Sequence, residues 1–290
     1  MSEDIVKLST ADNGNVSKSK LHGLWALTNR ELKKWYQQPF ILIMGIIQPI
    51  LWLGLLGKAM NLGNMIPGGI PGLNKDAVML QTFGTTDYFS FMAMGMVAFT
   101  TVFTTAFTGM SVVWDKRLGF MNKVLSTPVS RSSIILAKVL SASVRAIVQA
   151  AIVAAIAFAI GPLVTGSNFA WWSILGVFAI VFLISVGLSS MFTALTLRAN
   201  RMEMPQAIFQ LITLPLMFAS SAYFPIDQMP TWLQDIASVN PISYTIDAVR
   251  RLMIFSDGFG PLLLDFAYVG AFAVVVTVIC IVLSWRYLNK

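Results

Sequence analysis

The chain reads as an all-α integral membrane protein with six transmembrane helices, a cytoplasmic N-terminal amphipathic helix and a re-entrant helical segment before the last span. Three observations predict this class. Six stretches, Phe40–Gly57, Tyr88–Trp114, Ala146–Val164, Phe169–Leu197, Met204–Ile226 and Phe266–Trp285, carry no charge or a single charge near one end. At about 1.5 Å per helical residue, each can cross a hydrocarbon layer about 30 Å thick. Apolar residues make up 56% of the chain and charged residues 11%, with a mean hydropathy of +0.73, which is more hydrocarbon than a water-facing surface could accommodate. The basic residues are sorted by side: 16 of the 20 Lys and Arg flank the spans on one face, and only Lys58, Lys75, Arg250 and Arg251 lie on the other. The positive-inside rule then places both termini in the cytoplasm of a cell (plasma) membrane protein. The net charge of +7 is explained by this sorting and calls for no nucleic acid.

The elements follow in order. Residues 1–20 are polar and rich in Ser, Asn and Lys, and read as a disordered cytoplasmic tail. Leu21–Gln38 repeats Leu21, Leu24, Trp25, Leu27, Leu32 and Trp35 at near-helical spacing among basic residues, which predicts an amphipathic helix in the membrane interface before Pro39. A plain basic flank anchoring the first span is the alternative. The loop Lys58–Asp87 contains Pro67-Gly68-Gly69-Ile70-Pro71-Gly72 and is expected to be irregular and external.

The connection 115–138 is the longest cytoplasmic loop. Within it Leu118, Met121 and Leu125 are expected on one face of a short helix, Ser126-Thr127-Pro128 to end that helix, and Ser130 to cap the next. A basic-flanked helix with exposed apolar knobs fits a groove on another protein, or lies in the interface. Before the last span, Phe224–Pro241 is semi-polar and bounded by prolines, with a helical Trp232–Val239 piece. The amphipathic stretch Ile242–Phe255 follows it, bearing Asp247, Arg250 and Arg251. Such half-apolar helices can dip into the outer leaflet when their backbone is buried against protein.

Polar residues inside the spans are few. Thr101, Thr105 and Thr108 form a stripe in span two, and Gln206, Gln210 and Thr213 form one in span five. Two readings stand for both stripes: packing, in which threonine bonds its own preceding turn, or lining of a substrate pathway. Ala142, Ala146, Ala150 and Ala154 recur every four residues and read as a close helix-packing face.

Two segments together carry a family resemblance. Gly119…Leu125-Ser126-Thr127-Pro128-Val129-Ser130 after span two, with Pro230-Thr231-Trp232-Leu233 and Asn240-Pro241…Tyr244…Arg250 before span six, resembles the membrane subunit of ABC-2-type exporters. Among these it is most similar to the drug-resistance (daunorubicin-type) and polysaccharide-export permeases. The likeness covers residues 21–290. It implies that Leu21–Gln38 is a connector helix and that Lys116–Leu125 is a coupling helix docking on a separate ATPase. Leu118, Gly119, Phe120, Met121, Leu125 and Pro128 would make that contact. The segment 225–255 would close the outer side, with Phe224, Asn240, Pro241, Tyr244 and Arg250 as the external gate. Two permeases, as a homodimer or with a closely related second permease, would join two ATPases that carry the ATP and Mg. In Asp115-Lys116-Arg117-Leu118-Gly119 this chain departs from the Arg-Glu pair many relatives place before the glycine.

Several function classes are excluded. No Gly-x-x-x-x-Gly-Lys-Ser/Thr loop is present, so ATP is not bound here in the P-loop manner. His22 and Cys280 are the only residues of their kinds, too few for a catalytic metal, and one cysteine forms no intrachain disulfide. No Asp, Glu or His occupies a predicted span centre to relay protons. The N-terminus lacks the order of a cleaved signal peptide, so the first span is expected to serve as the insertion signal. The chain is expected to be no enzyme and to bind no cofactor. It would be a permease for an amphipathic, drug-like or lipid-linked substrate, the competing expectation being a channel or structural membrane protein without an ATPase.

Overall fold

The computed structural model describes residues 20–59, 74–126, 129–161, 163, 165–166, 169–199, 201–255 and 259–288, and among them every regular element is helical. The proposed tail 1–20, except Lys20, and the Pro67–Gly72 run lie outside the described residues, as do Thr127 and Pro128. The elements are α1 (Lys20–Tyr36), α2 (Pro39–Trp52, continued by a π-helical turn Leu53–Ala59), α3 (Lys75–Phe83), α4 (Tyr88–Arg117), α5 (Phe120–Leu125), α6 (Arg131–Ile160), α7 (Trp171–Thr196), α8 (Glu203–Phe218), α9 (Thr231–Val239), α10 (Pro241–Met253) and α11 (Phe259–Leu288).

Helices α4, α6, α7 and α11 are long and apolar enough to cross a membrane. α8 has 16 residues, about 24 Å at 1.5 Å per residue, which is short of the hydrocarbon thickness. Within the expected fifth span Met204–Ile226 only the helical boundary is corrected: the helix ends at Phe218, just after Pro215 removes an N–H from its last turn. The expected third span began at Ala146, whereas α6 starts fifteen residues earlier and carries Lys138 and Arg145 inside the helix. α11 likewise begins before Phe266 and includes Asp265, which pairs with Arg251 at 3.1 Å.

α4 is the central helix, buried without a break from Tyr88 through Val102 and at many positions of its cytoplasmic half. α6, α7, α8 and α10 pack around it, and α11 lies against α7. Small residues permit these approaches. A Cβ added at Gly109 would lie 2.9 Å from the Phe192 carbonyl on α7, and one at Gly187 would lie 2.6 Å from the Phe272 ring on α11. The alanine stripe of α6 behaves as read, with Ala142, Ala146 and Ala150 buried and Ala154 packed against the core.

Helix ends follow local rules. Asp87 caps α4 by accepting from the Phe89 and Ser90 N–H groups, and Ser130 caps α6 by accepting from Ser133 N–H at 3.2 Å. α3 was not expected in the external loop. It is capped by Asn74 and closed by Gly84 at φ +68°, an N-cap and C′ pair hidden behind the Pro/Gly run.

Candidate functional sites at the two ends of the bundle

At the end expected to face the cytoplasm, α4 stops at Arg117 because Gly119 turns the chain with φ +70°, and α5 begins at Phe120. The expected single helix Lys116–Leu125 is thus corrected to a break followed by a shorter helix. That break separates the expected apolar face. Leu118 is 73% exposed in the turn, while Met121 and Val124 are buried in a second apolar cluster with Val112, Ile134, Ile135 and Cys280. α5 is mounted on the helix bundle by one side and presents Lys123 outward, with Leu118 exposed in the turn before it. The Leu125 side chain and Pro128 lie outside what the structure describes.

Beneath α5 sits an ionic cluster built from three helices. Asp115, 3% exposed on α4, accepts hydrogen bonds from Lys138 Nζ of α6 at 2.5 Å and from Lys34 Nζ of α1 at 3.0 Å. Glu31, also buried, accepts from Arg30 Nη1 at 3.0 Å and from Lys34 at 3.3 Å, and pairs with Lys138 at 3.5 Å. The Arg30 guanidinium lies 3.2 Å from the centroid of the Phe120 ring. Lys138 also donates to Ser111 Oγ at 3.1 Å. Lys116 Nζ donates to the Leu197 carbonyl, tying α4 to the end of α7. Asp115, where the chain departs from the family pattern, is the centre of this cluster. Sequence reasoning missed the cluster because Glu31 and Lys138 are far apart in the chain. The observable signal was Glu31 alone among the cations of α1.

The helix α1 also differs from its helical-wheel reading. It turns Thr28 and Glu31 inward and leaves Trp25 64% exposed. His22 is exposed, whereas Cys280 is buried in the second apolar cluster.

At the opposite end, α9 and α10 form a helical pair after a short 3₁₀ turn at Ile226–Gln228. Asn240 organises the junction. Its Oδ1 accepts from Ile242 N–H at 3.0 Å, capping α10, while Nδ2 donates to the carbonyls of Leu216 at 2.7 Å and Ala219 at 2.5 Å. One amide thus satisfies the start of α10 and the orphan carbonyls at the end of α8. Pro241 occupies the first helical position, where its missing N–H costs nothing. Tyr244 stacks on Tyr268 of α11 with centroids 4.0 Å apart. Both hydroxyls donate to the end of α9: Tyr244 to Ser238 O and Tyr268 to Val239 O, each at 2.7 Å.

Arg250 is 1% exposed. Its Nε and Nη2 donate to the Phe91 carbonyl of α4 at 3.3 and 3.2 Å, and Nη2 donates to the Ala222 carbonyl at 3.2 Å. Its Cζ lies 3.4 Å from the centroid of the Phe91 ring. Of the acidic neighbours read from the sequence, Asp247 lies within electrostatic reach and itself accepts from Ser221 Oγ at 2.9 Å. Gly95 makes room for this joint, because a Cβ there would lie 2.7 Å from the Ala222 carbonyl. Phe224 is 52% exposed, at the turn between α8 and α9.

The residues read as a possible pathway do not converge within this chain. Thr101 and Thr105 are buried in α4, and Thr105 donates back to Thr101 O at 2.7 Å. Gln206 and Gln210 are exposed on α8. The buried polar contact at mid-depth is instead Thr104 Oγ1 donating to Gln149 Oε1 of α6 at 2.7 Å. A lone Gln in an apolar helix was the signal for that bond. Among the described residues no group of three or more His, Cys, Asp or Glu could hold a metal ion.

Comparison with known proteins agrees with the resemblance carried by the two loop motifs. The family described as ABC-2 type transporter matches residues 22–254. A putative transport permease, ycf38, of Porphyra purpurea is 30% identical over 233 residues, covering 80% of this chain and 74% of that protein. Nodulation protein J of Rhizobium leguminosarum bv. trifolii is 24% identical over 232 residues, covering 79% and 80%. The daunorubicin resistance ABC transporter permease protein DrrB1 of Streptomyces coeruleorubidus is 25% identical over 175 residues, covering 60% and 61%. With the apolar helices and both motif-bearing ends in place, the chain belongs to the ABC-2 type transporter family of membrane permeases.

Proposed function

We propose that this chain is the membrane-spanning subunit of an ATP-driven exporter, in which two permease chains join two ATPase subunits that bind ATP and Mg. The substrate class is amphipathic, drug-like or lipid-linked. Both termini lie in the cytoplasm and the protein sits in the plasma membrane, in keeping with the charge sorting of the loops. On this reading α2 and the α8 segment complete six spans, α1 is the connector helix, α5 receives the ATPase, and α9 with α10 closes the outer side.

The observation that carries the reading is the mounting of α5. Its inner side is locked into the bundle through Met121 and Val124, while Leu118 stands 73% exposed beside it. A large apolar residue held rigidly in an aqueous loop is the expected form of a docking knob. Burying it stabilises a contact by about 1.5–3 kcal/mol. Leu118→Asp should leave insertion and melting temperature unchanged, because the side chain supports nothing in the fold. It should abolish co-purification of the ATPase and substrate-stimulated hydrolysis. Retention of both would show that this loop is not the docking contact, and a wild-type chain that co-purifies with no ATPase would favour a channel or structural membrane protein.

A further inference from the structure

α1 touches both ends of the α5 loop. At its C-terminal half, Arg30 caps the Phe120 ring at 3.2 Å. At its N-terminal half, a Cβ added at Gly23 would lie 3.2 Å from a Val129 methyl, so helix and loop are in contact there too. Gly23 and Arg30 are two helical turns apart, about 10.5 Å. α1 therefore lies across the loop as a strap, gripping it before and after α5.

The strap is fastened to the spans by the ionic cluster. Lys34 and Arg30 reach Asp115 of α4 at 3.0 and 3.8 Å, and Glu31 reaches Lys138 of α6 at 3.5 Å. Lys138 and Asp115 close the cluster between α4 and α6 at 2.5 Å. Asp115, Glu31 and Lys138 are each under 7% exposed. Ion pairs at such sites contribute little net stability, since desolvation offsets their attraction, yet they fix geometry and are costly to break singly. Leu27 adds an apolar contact with the second cluster, and what the ion pairs add to it is fixed geometry.

We propose that Asp115, Glu31 and Lys138 are positioning residues forming a transmission joint, which fixes α1 and the α5 loop as one body onto the cytoplasmic ends of α4 and α6. The ATPase would then move a strapped unit of α1 plus α5, and the joint would pass that motion to two spans at once. The transmission role rests on the exporter reading, whereas the rigid joint is a property of the chain alone.

The test uses the full chain in lipid nanodiscs, with spin labels at two pairs of exposed positions: Lys33 with Lys123, and Lys33 with Val148. Cys280 is buried and stays unlabelled. The wild type should give one narrow distance distribution for each pair. Asp115→Asn, close to isosteric, should widen both at least about twofold, because Lys34 and Arg30 of α1 lose their charged partner on α4 and Glu31 alone is left among the cations. Asp115→Glu should restore both. Phe120→Leu, which leaves every charge paired and Met121 and Val124 in place, should leave the Lys33–Val148 distribution unchanged. Wild-type widths in Asp115→Asn would overturn the joint. With the ATPase present, Asp115→Asn should retain association but lose substrate-stimulated hydrolysis about tenfold, a 1.4 kcal/mol effect, with recovery in Asp115→Glu. Widened distances with unchanged hydrolysis would overturn transmission. If no ATPase associates even with wild-type chain, the exporter reading falls, while the label distances still decide the joint.

Discussion

Removing the Arg250 guanidinium should unfasten the outer helical pair from α4. The arginine makes three hydrogen bonds to two backbone carbonyls and covers one aromatic ring, with almost no access to solvent. The Phe91 carbonyl belongs to a continuous helix and keeps its intrahelical partner, so its loss is partial. The Ala222 carbonyl lies in the turn after α8 and has no such reserve. Asp247 would lose its nearest buried counter-charge. Three bonds at 3.2–3.3 Å are longer than the ideal of about 2.9 Å, which argues for the lower part of the range for breaking a buried charged contact, about 3 kcal/mol.

The perturbation is Arg250→Met, which keeps the length of the stem and removes the charge and the donors. At about 2–4 °C per kcal/mol for a chain of this size, the melting temperature of the purified protein should fall by about 6–12 °C. Arg250→Glu should be worse, because it sets a carboxylate against two carbonyl oxygens and beside Asp247. It is therefore not the fold-neutral probe of gating that a solvated arginine would allow. Arg250→Lys should be intermediate, since one ammonium cannot reproduce the planar fork that serves Phe91 O and Ala222 O together. A melting temperature for Arg250→Met within about 2 °C of wild type, less than 1 kcal/mol, would refute the argument that this side chain holds α10 to α4.

Two further outcomes are expected. Gly187→Ala should destabilise the α7–α11 seam by about 1–3 kcal/mol through overpacking, because the new methyl would lie 2.6 Å from the Phe272 ring and 3.2 Å from Ala273 Cα; thermal unfolding in detergent measures it. For topology, a cysteine replacing Lys123 should resist an impermeant thiol reagent in intact cells while one replacing Asp235 is labelled; both positions are exposed and the native Cys280 is buried. Labelling at Lys123 from outside would reverse the orientation.

Which parts of this fold could be read in advance follows from the range of the forces involved. Hydrocarbon demands long apolar helices, so α4 and α7 stand close to their predicted limits. Where a boundary depends on a distant partner, the reading fails. α6 extends through Lys138 because Asp115 and Glu31 neutralise it. α11 extends through Asp265 because Arg251 meets it. The break at Gly119 splits the expected coupling helix, because a glycine in the left-handed region reorients the chain between Arg117 and Phe120. Arg250 was legible as part of a distinctive segment, but its contacts were not. Its partners are carbonyls on two other elements, and no local pattern encodes them. Asn240-Pro241, by contrast, was legible in kind, since a capping amide followed by proline is a local signal, although its reach to Leu216 and Ala219 was not.

The two ends of the bundle are connected by a single element. Asp115, the centre of the ionic cluster, and Phe91, whose carbonyl Arg250 holds, are both on α4, 24 residues apart in one uninterrupted helix. That is about 36 Å of rod at 1.5 Å per residue. Some of its polar side chains bond the helix itself or a neighbour: Thr105 bonds Thr101 O, and Thr104 bonds Gln149 of α6. At Gly95 and Gly109 the backbones of the Ala222 turn and of α7 approach too closely for even a methyl group to intervene. Such contacts resist rotation of α4 about its own axis, because turning either glycine away would bring a side chain against a carbonyl. A displacement imposed at Asp115 is therefore carried as a shift or tilt of the whole rod. On the exporter reading, such a shift would reach the Phe91 carbonyl and the Arg250 fork that grips it, so the α4–Arg250 contact would link the α5 loop to the outer helical pair.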